Sequence, residues 1–251
     1  LWSALKIHYW DTFRTQVSYG DTVGKCFNQQ LRNLCERLWL DFFKLPLDNL
    51  SPDREVTYAR LRDLFFKWSW DEVYDFIEFV AQNYSVDPAN KEFMAFCNNI
   101  LEREMSAYRF VGGAIAPITS EEEISAINDA MTVKISPVRA HLNSALEKLT
   151  DRKHPDYRNS IKESISAVEA LVQKTTHSDQ GTLGQLLKIL ESKTGLHPSL
   201  KGAFDKLYGY TSDADGIRHA LLEEDKVTFE QAKFMLVVCS AFTNYVIGTL
   251  K

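Results

Sequence analysis

The sequence predicts a mainly all-α protein, and three observations carry that reading. Apolar residues recur at three- and four-residue intervals along most of the 251 residues. Ser or Thr stands three positions ahead of Glu or Gln where several of these stripes begin, the signature of a capped helix start. The period changes clearly at "YRFVGGAIAPI", residues 108–118, where a Gly-Gly pair between short apolar runs marks a β-hairpin. The predicted architecture is an N-terminal helical domain with this short hairpin, residues 1–132, followed by a C-terminal helical bundle, residues 133–251.

In chain order, Phe27, Leu31, Leu34, Leu38 and Phe42 mark the first helix. Val73, Phe76, Ile77 and Val80 mark the second, opened by a Ser69–Glu72 capping box. Phe93, Phe96, Cys97, Ile100 and Leu101 trace a third that ends near Tyr108, ahead of the hairpin. Pro117 closes the hairpin, and Ser120 with Glu123 starts the next helix. Composition shifts here as well. All five Trp lie at or before residue 70 and 11 of 15 Phe precede Pro117, which places a domain boundary near residues 115–135.

The C-terminal part reads as a bundle with short connections. Val138, Leu142, Ala145, Leu146 and Leu149 give one helix. Tyr157, Ile161, Ile165, Val168 and Val172 give a longer one, with Pro155 as its first-turn proline. Leu183, Leu186, Leu187 and Leu190 give a third, and a fourth runs from Pro198 to Gly209, read as a left-handed C-cap. A fifth starts within "YGYTSDADGIRHALLEE", residues 208–224, with Ser212 as N-cap. Thr228 and Gln231 box in the last, from Phe229 to about Gly248.

Composition excludes several classes. With 45% apolar and 25% charged residues and a net charge of −5, the chain is an ordinary globular protein, unsuited to broad non-specific nucleic-acid binding. The cysteines, Cys26, Cys35, Cys97 and Cys239, form no CxxC pair and have no histidine at zinc-finger spacing, so neither metal nor cofactor is expected. The most apolar stretch, "FMLVVCSAFTNYVIG", is too short to span a bilayer, and no signal sequence is evident. A cytoplasmic protein that does not engage a membrane is expected.

Candidate chemistry gathers in two places. Asp215, Arg218 and His219 fall within a turn and a half of the predicted fifth helix. An Asp one turn below a His can orient the imidazole for acid–base work; the same Asp215 also suits a capping box on Ser212. Leu222 lies on the His219 side, away from the core stripe, and points to a homodimer that buries this face. On the long helix, Arg158, Lys162 and Glu169 share one flank, as a solvated ion-pair ladder or as an RNA-binding row. Residues 134–162 hold seven Lys or Arg against three acids, together with His141 and His154. Trp68 and Trp70 are either core or a partner surface.

The sequences "DYRNSIKESISAVEALV" and "LYGYTSDADGIRHALL", followed by a closing apolar helix, resemble the HEPN-type helical domain of AbiJ-like abortive-infection proteins. "QQLRNLCERLWLDFF" and "LEREMSAYRFVGGAIAPITSEEEISAI" resemble the N-terminal domain fused to it. The resemblance covers nearly the whole chain. It implies a dimeric HEPN-like bundle in bacterial phage defence, a metal-independent endoribonuclease or RNA-binding effector, with a regulatory protein partner at the N-terminal domain. If the chain is catalytic, His219 moves the proton, Arg218 stabilises the phosphate and Asp215, placed by helical spacing, orients the imidazole. The usual signature separates the Arg and His by several residues, whereas Arg218 and His219 are adjacent. The alternative is a non-catalytic dimerisation or protein-interaction module.

Overall fold

Why these stripes become helices, and where they stop, is visible in a computed structural model that describes residues 1–11, 29–178, 181–212 and 227–250. The fold is mainly α-helical with one two-stranded hairpin among the described residues. The chain divides into two units, Leu1–Pro117 and Ile118–Lys251.

In the first unit α1 (Trp2–Leu5) runs into a π-helical turn, Lys6–Asp11, and α2 (Gln29–Arg37) into another, Leu38–Phe42. α3 (Arg54–Phe65), α4 (Trp70–Asn83) and α5 (Asp87–Arg103) follow, then β1 (Arg109–Val111) and β2 (Ala114–Ala116). The core is strongly aromatic, with Tyr9, Trp39, Phe76 and Phe93 buried beside Leu31, Leu34, Leu38 and Ile77. The predicted capping box on α4 forms, Glu72 Oε2 accepting from the Ser69 amide at 2.9 Å. Gly112 and Gly113 both take positive φ, as a two-residue hairpin turn demands, with Phe110 paired to Ile115.

α5 ends at Arg103, short of the expected Tyr108. The chain turns left-handed at Met105 (φ 53°), where the Met105 amide donates to Glu102 O and the Ser106 amide to Leu101 O. Those two bonds are the pattern that closes a helix and normally places glycine at the left-handed position. α3 was not among the predicted helices, because its buried face is narrow: Arg54, Thr57, Leu61 and Phe65.

The second unit holds α6 (Glu121–Met131), α7 (Ser136–Thr150), α8 (Tyr157–Thr176), α9 (Leu183–Thr194), α10 (Pro198–Ser212) and α11 (Phe229–Thr249). α8 is central. Besides Ile161, Ile165, Val168 and Val172 it buries Ser160, Ser164, Ala167 and Ala170, small residues that let neighbouring backbones approach closely. The two hydroxyls are satisfied, Ser160 Oγ donating to Ala145 O at 2.7 Å and Ser164 Oγ to Ser160 O at 2.9 Å.

Four local expectations are corrected. Pro155 precedes the helix instead of entering its first turn, because Asp156 is the N-cap and accepts from the Asn159 amide at 3.0 Å. Gly209 is not a C-cap: α10 continues through it to Ser212, with Thr211 buried and its hydroxyl bonded back to Tyr208 O at 2.8 Å. Ser212, expected as an N-cap, is the last residue of α10, and the helix it was expected to open lies outside the described residues. The apolar stretch expected to be too short for a bilayer belongs to a 21-residue helix, long and apolar enough to cross one by length and composition. Of its apolar window 44% is buried, and Met235, Leu236, Cys239 and Phe242 pack into the second unit.

Candidate functional site

The start of α8 is the best-built polar feature of the second unit, and it grows from the α7–α8 connection. Asp151 Oδ1 accepts from the amides of His154 (2.9 Å) and Lys153 (2.8 Å), and those two bonds hold its carboxyl below the usual carboxylate range. The Asp156 amide donates to Lys148 O at 3.0 Å. Asp156 then caps the helix, its second oxygen accepting from Asn159 Nδ2 at 2.7 Å. The Tyr157 ring meets the Phe229 ring edge-on at 6.1 Å, tying the start of α8 to the start of α11.

A shallow polar cleft opens here, lined by Pro155, Asp156, Tyr157, Arg158, Asn159 and Val227. Arg158 is half-buried in it, and exposed Lys162 stands one turn further along α8. At 1.5 Å per residue the two are about 6 Å apart along the axis, within reach of neighbouring phosphates. Glu169 lies roughly 10 Å beyond Lys162 on the same helix, half-buried, and does not join them. Asp215, Arg218, His219 and Leu222 lie outside the described residues. The chain is described again at Val227, which also lines the cleft.

The basic neighbourhood is partly engaged internally. His141 Nδ1 lies 2.7 Å from Glu163 Oε2, joining α7 to α8, and Lys148 Nζ donates to Ser144 Oγ at 2.9 Å. No spacing rule reveals the His141–Glu163 pair, because its members are 22 positions apart on different helices. Among the described residues no group of three or more His, Cys, Asp or Glu is placed to hold a metal.

The two tryptophans separate. Trp68 packs on Phe42, Phe43, Phe65 and Phe76 and belongs to the core of the first unit. Trp70 is 57% exposed.

Searches of curated proteins and of solved structures return no match. The family described as AbiJ N-terminal domain 4 matches residues 1–133. That span includes all of the first unit and also α6, which packs in the second: Glu123 pairs with Lys233 at 3.3 Å and Asn244 Nδ2 donates to Ala126 O at 2.9 Å. With more than half of its length matched, the chain belongs to the AbiJ N-terminal domain 4 family, and this domain suggests a place in abortive-infection phage defence.

Proposed function

We propose that the protein is an abortive-infection effector whose C-terminal bundle is HEPN-like and acts on RNA without a metal. The observation that carries this reading is the cleft at the start of α8. Arg158 lines it and Lys162 stands one turn further along α8, a cationic row suited to a phosphate backbone. In the proposed reaction the RNA 2′-oxygen attacks the adjacent phosphorus and the bond to the 5′-oxygen breaks. His219 moves the proton from the nucleophile toward the leaving group, Arg218 stabilises the crowded anionic phosphate, and Asp215 orients the imidazole. The products are a 2′,3′-cyclic phosphate and a 5′-hydroxyl.

The test is incubation with total cellular RNA in EDTA, with end-group analysis of the fragments. His219→Ala and Arg218→Ala should each lose about a hundredfold or more in cleavage rate with unchanged melting temperature. Equal cleavage by parent and variants would place the activity elsewhere. Lower melting of both variants would make the residues structural.

The second reading, a non-catalytic interaction module, draws support from α11. Phe234 (54% exposed) and Tyr245 (43% exposed) lie on its outer face with exposed Ala241 and Gly248. Both readings share a homodimer that buries an apolar face of the bundle.

A further inference from the structure

The first unit carries an aromatic cluster at the edge of its core, half-buried Tyr74 and Tyr108 backing exposed Trp70, that the RNA reading does not use. Trp70 at the start of α4, Tyr74 one turn on, and Tyr108 after α5 form a closed triangle. Their ring centroids are 5.4 Å (Trp70–Tyr108), 5.6 Å (Trp70–Tyr74) and 5.4 Å (Tyr74–Tyr108) apart. The triangle is fixed from below: Tyr74 Oη and Ser106 Oγ are 3.0 Å apart, and Ser106 Oγ accepts from the Tyr108 amide at 3.2 Å. In the same connection Met105 is 90% exposed in a left-handed conformation that glycine would adopt without strain. An exposed tryptophan backed by two half-buried tyrosines, in a surface that also presents a 90% exposed methionine, is the composition of a protein-binding hot spot.

The charge around it selects the partner. Residues 67–75 and 102–109, which build the surface, contain five carboxylates against three cations. Two of those cations are occupied locally, and so are two of the carboxylates, Glu72 in the α4 capping box and Glu104 with Arg103. Arg103 pairs with Glu104 at 2.6 Å, and Arg109 Nη1 donates to the carbonyls of Ser106 and Tyr108 at 2.7 and 2.8 Å. The unit also stacks guanidinium groups on rings elsewhere, Arg62 over Phe66 at 4.9 Å and Arg60 over Trp39 at 5.3 Å. An exposed ring in stretches with more carboxylates than cations suits an arginine better than a lysine, because the planar guanidinium stacks on a ring while its edge donates to acids.

We infer that the Trp70–Tyr74–Tyr108 surface is a docking site for an arginine-bearing segment of a partner protein. It is independent of any activity in the C-terminal bundle.

The experiment titrates the full chain with a short peptide of alternating arginine and glycine, followed by calorimetry. A glutamine–glycine peptide serves as control, and Trp70→Ala and Glu102→Gln/Glu104→Gln as variants. The arginine peptide should bind and the glutamine peptide should not, with affinity falling as salt rises. Trp70→Ala should weaken binding roughly tenfold at unchanged melting temperature, and the double charge variant should weaken it and flatten the salt dependence. Because that variant leaves every aromatic in place, it decides the matter even if Trp70→Ala melts early. Absence of arginine-peptide binding, equal binding of the two peptides, or full binding by both variants would overturn the inference. Loss of self-association in Trp70→Ala would overturn it too, by assigning the surface to a second copy.

Discussion

Asn98 engages both backbone groups of Phe110: its Oδ1 accepts from the Phe110 amide at 2.6 Å and its Nδ2 donates to the Phe110 carbonyl at 3.1 Å. The side chain thus behaves as a third strand along the outer edge of β1. Glu78 Oε2 does part of the same for β2, accepting from the Ile115 amide at 2.7 Å. Asn98→Ala leaves a half-buried donor and acceptor unpaired, and should lower stability by about 1.5–3 kcal/mol. Urea unfolding read by tryptophan fluorescence measures this directly. A change below about 0.5 kcal/mol would mean that water replaces the amide without loss.

If RNA lies along the start of α8, the two cations there should report as phosphate contacts. Arg158→Ala and Lys162→Ala should each weaken RNA binding across sequences, and each should reduce the slope of log affinity against log salt by about one. Glu169→Gln, roughly 10 Å beyond Lys162, should change neither quantity. Filter binding over a salt series separates the three variants.

Burial pushes the thiols of Cys97 and Cys239 up to about 12, from an ordinary value of 9.0, and pushes Cys35 in the same direction. A raised value means that the folded chain favours the neutral thiol. The stability from these groups is complete below their ordinary value and is lost as pH climbs from 9 through about 12. The urea midpoint should hold steady near neutrality and fall through that alkaline window. In the folded protein at neutral pH these three cysteines should resist alkylation, and denaturant should expose them together.

The outer face of α11 gives the proposed homodimer a concrete test. Phe234→Glu places a charge in the middle of any apolar contact made there, while its own chain leaves that side chain 54% exposed. Sedimentation velocity should show a dimer for the parent and a monomer for the variant, at matched melting temperature. An unchanged dimer would move the interface to another face.

What the sequence made legible follows from how many signals each element carries. α4, α9 and α11 combine a broad apolar stripe with a reciprocal cap, at Ser69–Glu72, Thr182–Gln185 and Thr228–Gln231, and two of these three boxes were readable in advance. α3 lacks the stripe, and its spacing alone does not mark a helix. The π-helical turn at Leu38–Phe42 is invisible because its buried residues keep the spacing of α2. The end of α5 was misplaced because methionine sits where glycine would have signalled a stop. Gly209 misled for the opposite reason, signalling a stop that the buried Thr211 overrides. At the candidate site, the Arg158–Lys162 row follows from helical spacing alone. The cleft does not, since it depends on Val227 and on Phe229 meeting Tyr157, 72 positions away in sequence.

The left-handed Met105 sets stability against recognition at a single position. Holding a side chain in that region costs roughly 1–2 kcal/mol that glycine would not incur. A stability screen of this protein should therefore favour Met105→Gly, and the variant it rewards would present a smaller apolar surface beside Trp70. Thermostabilised versions chosen by melting temperature alone are expected to be the ones least able to hold a partner there.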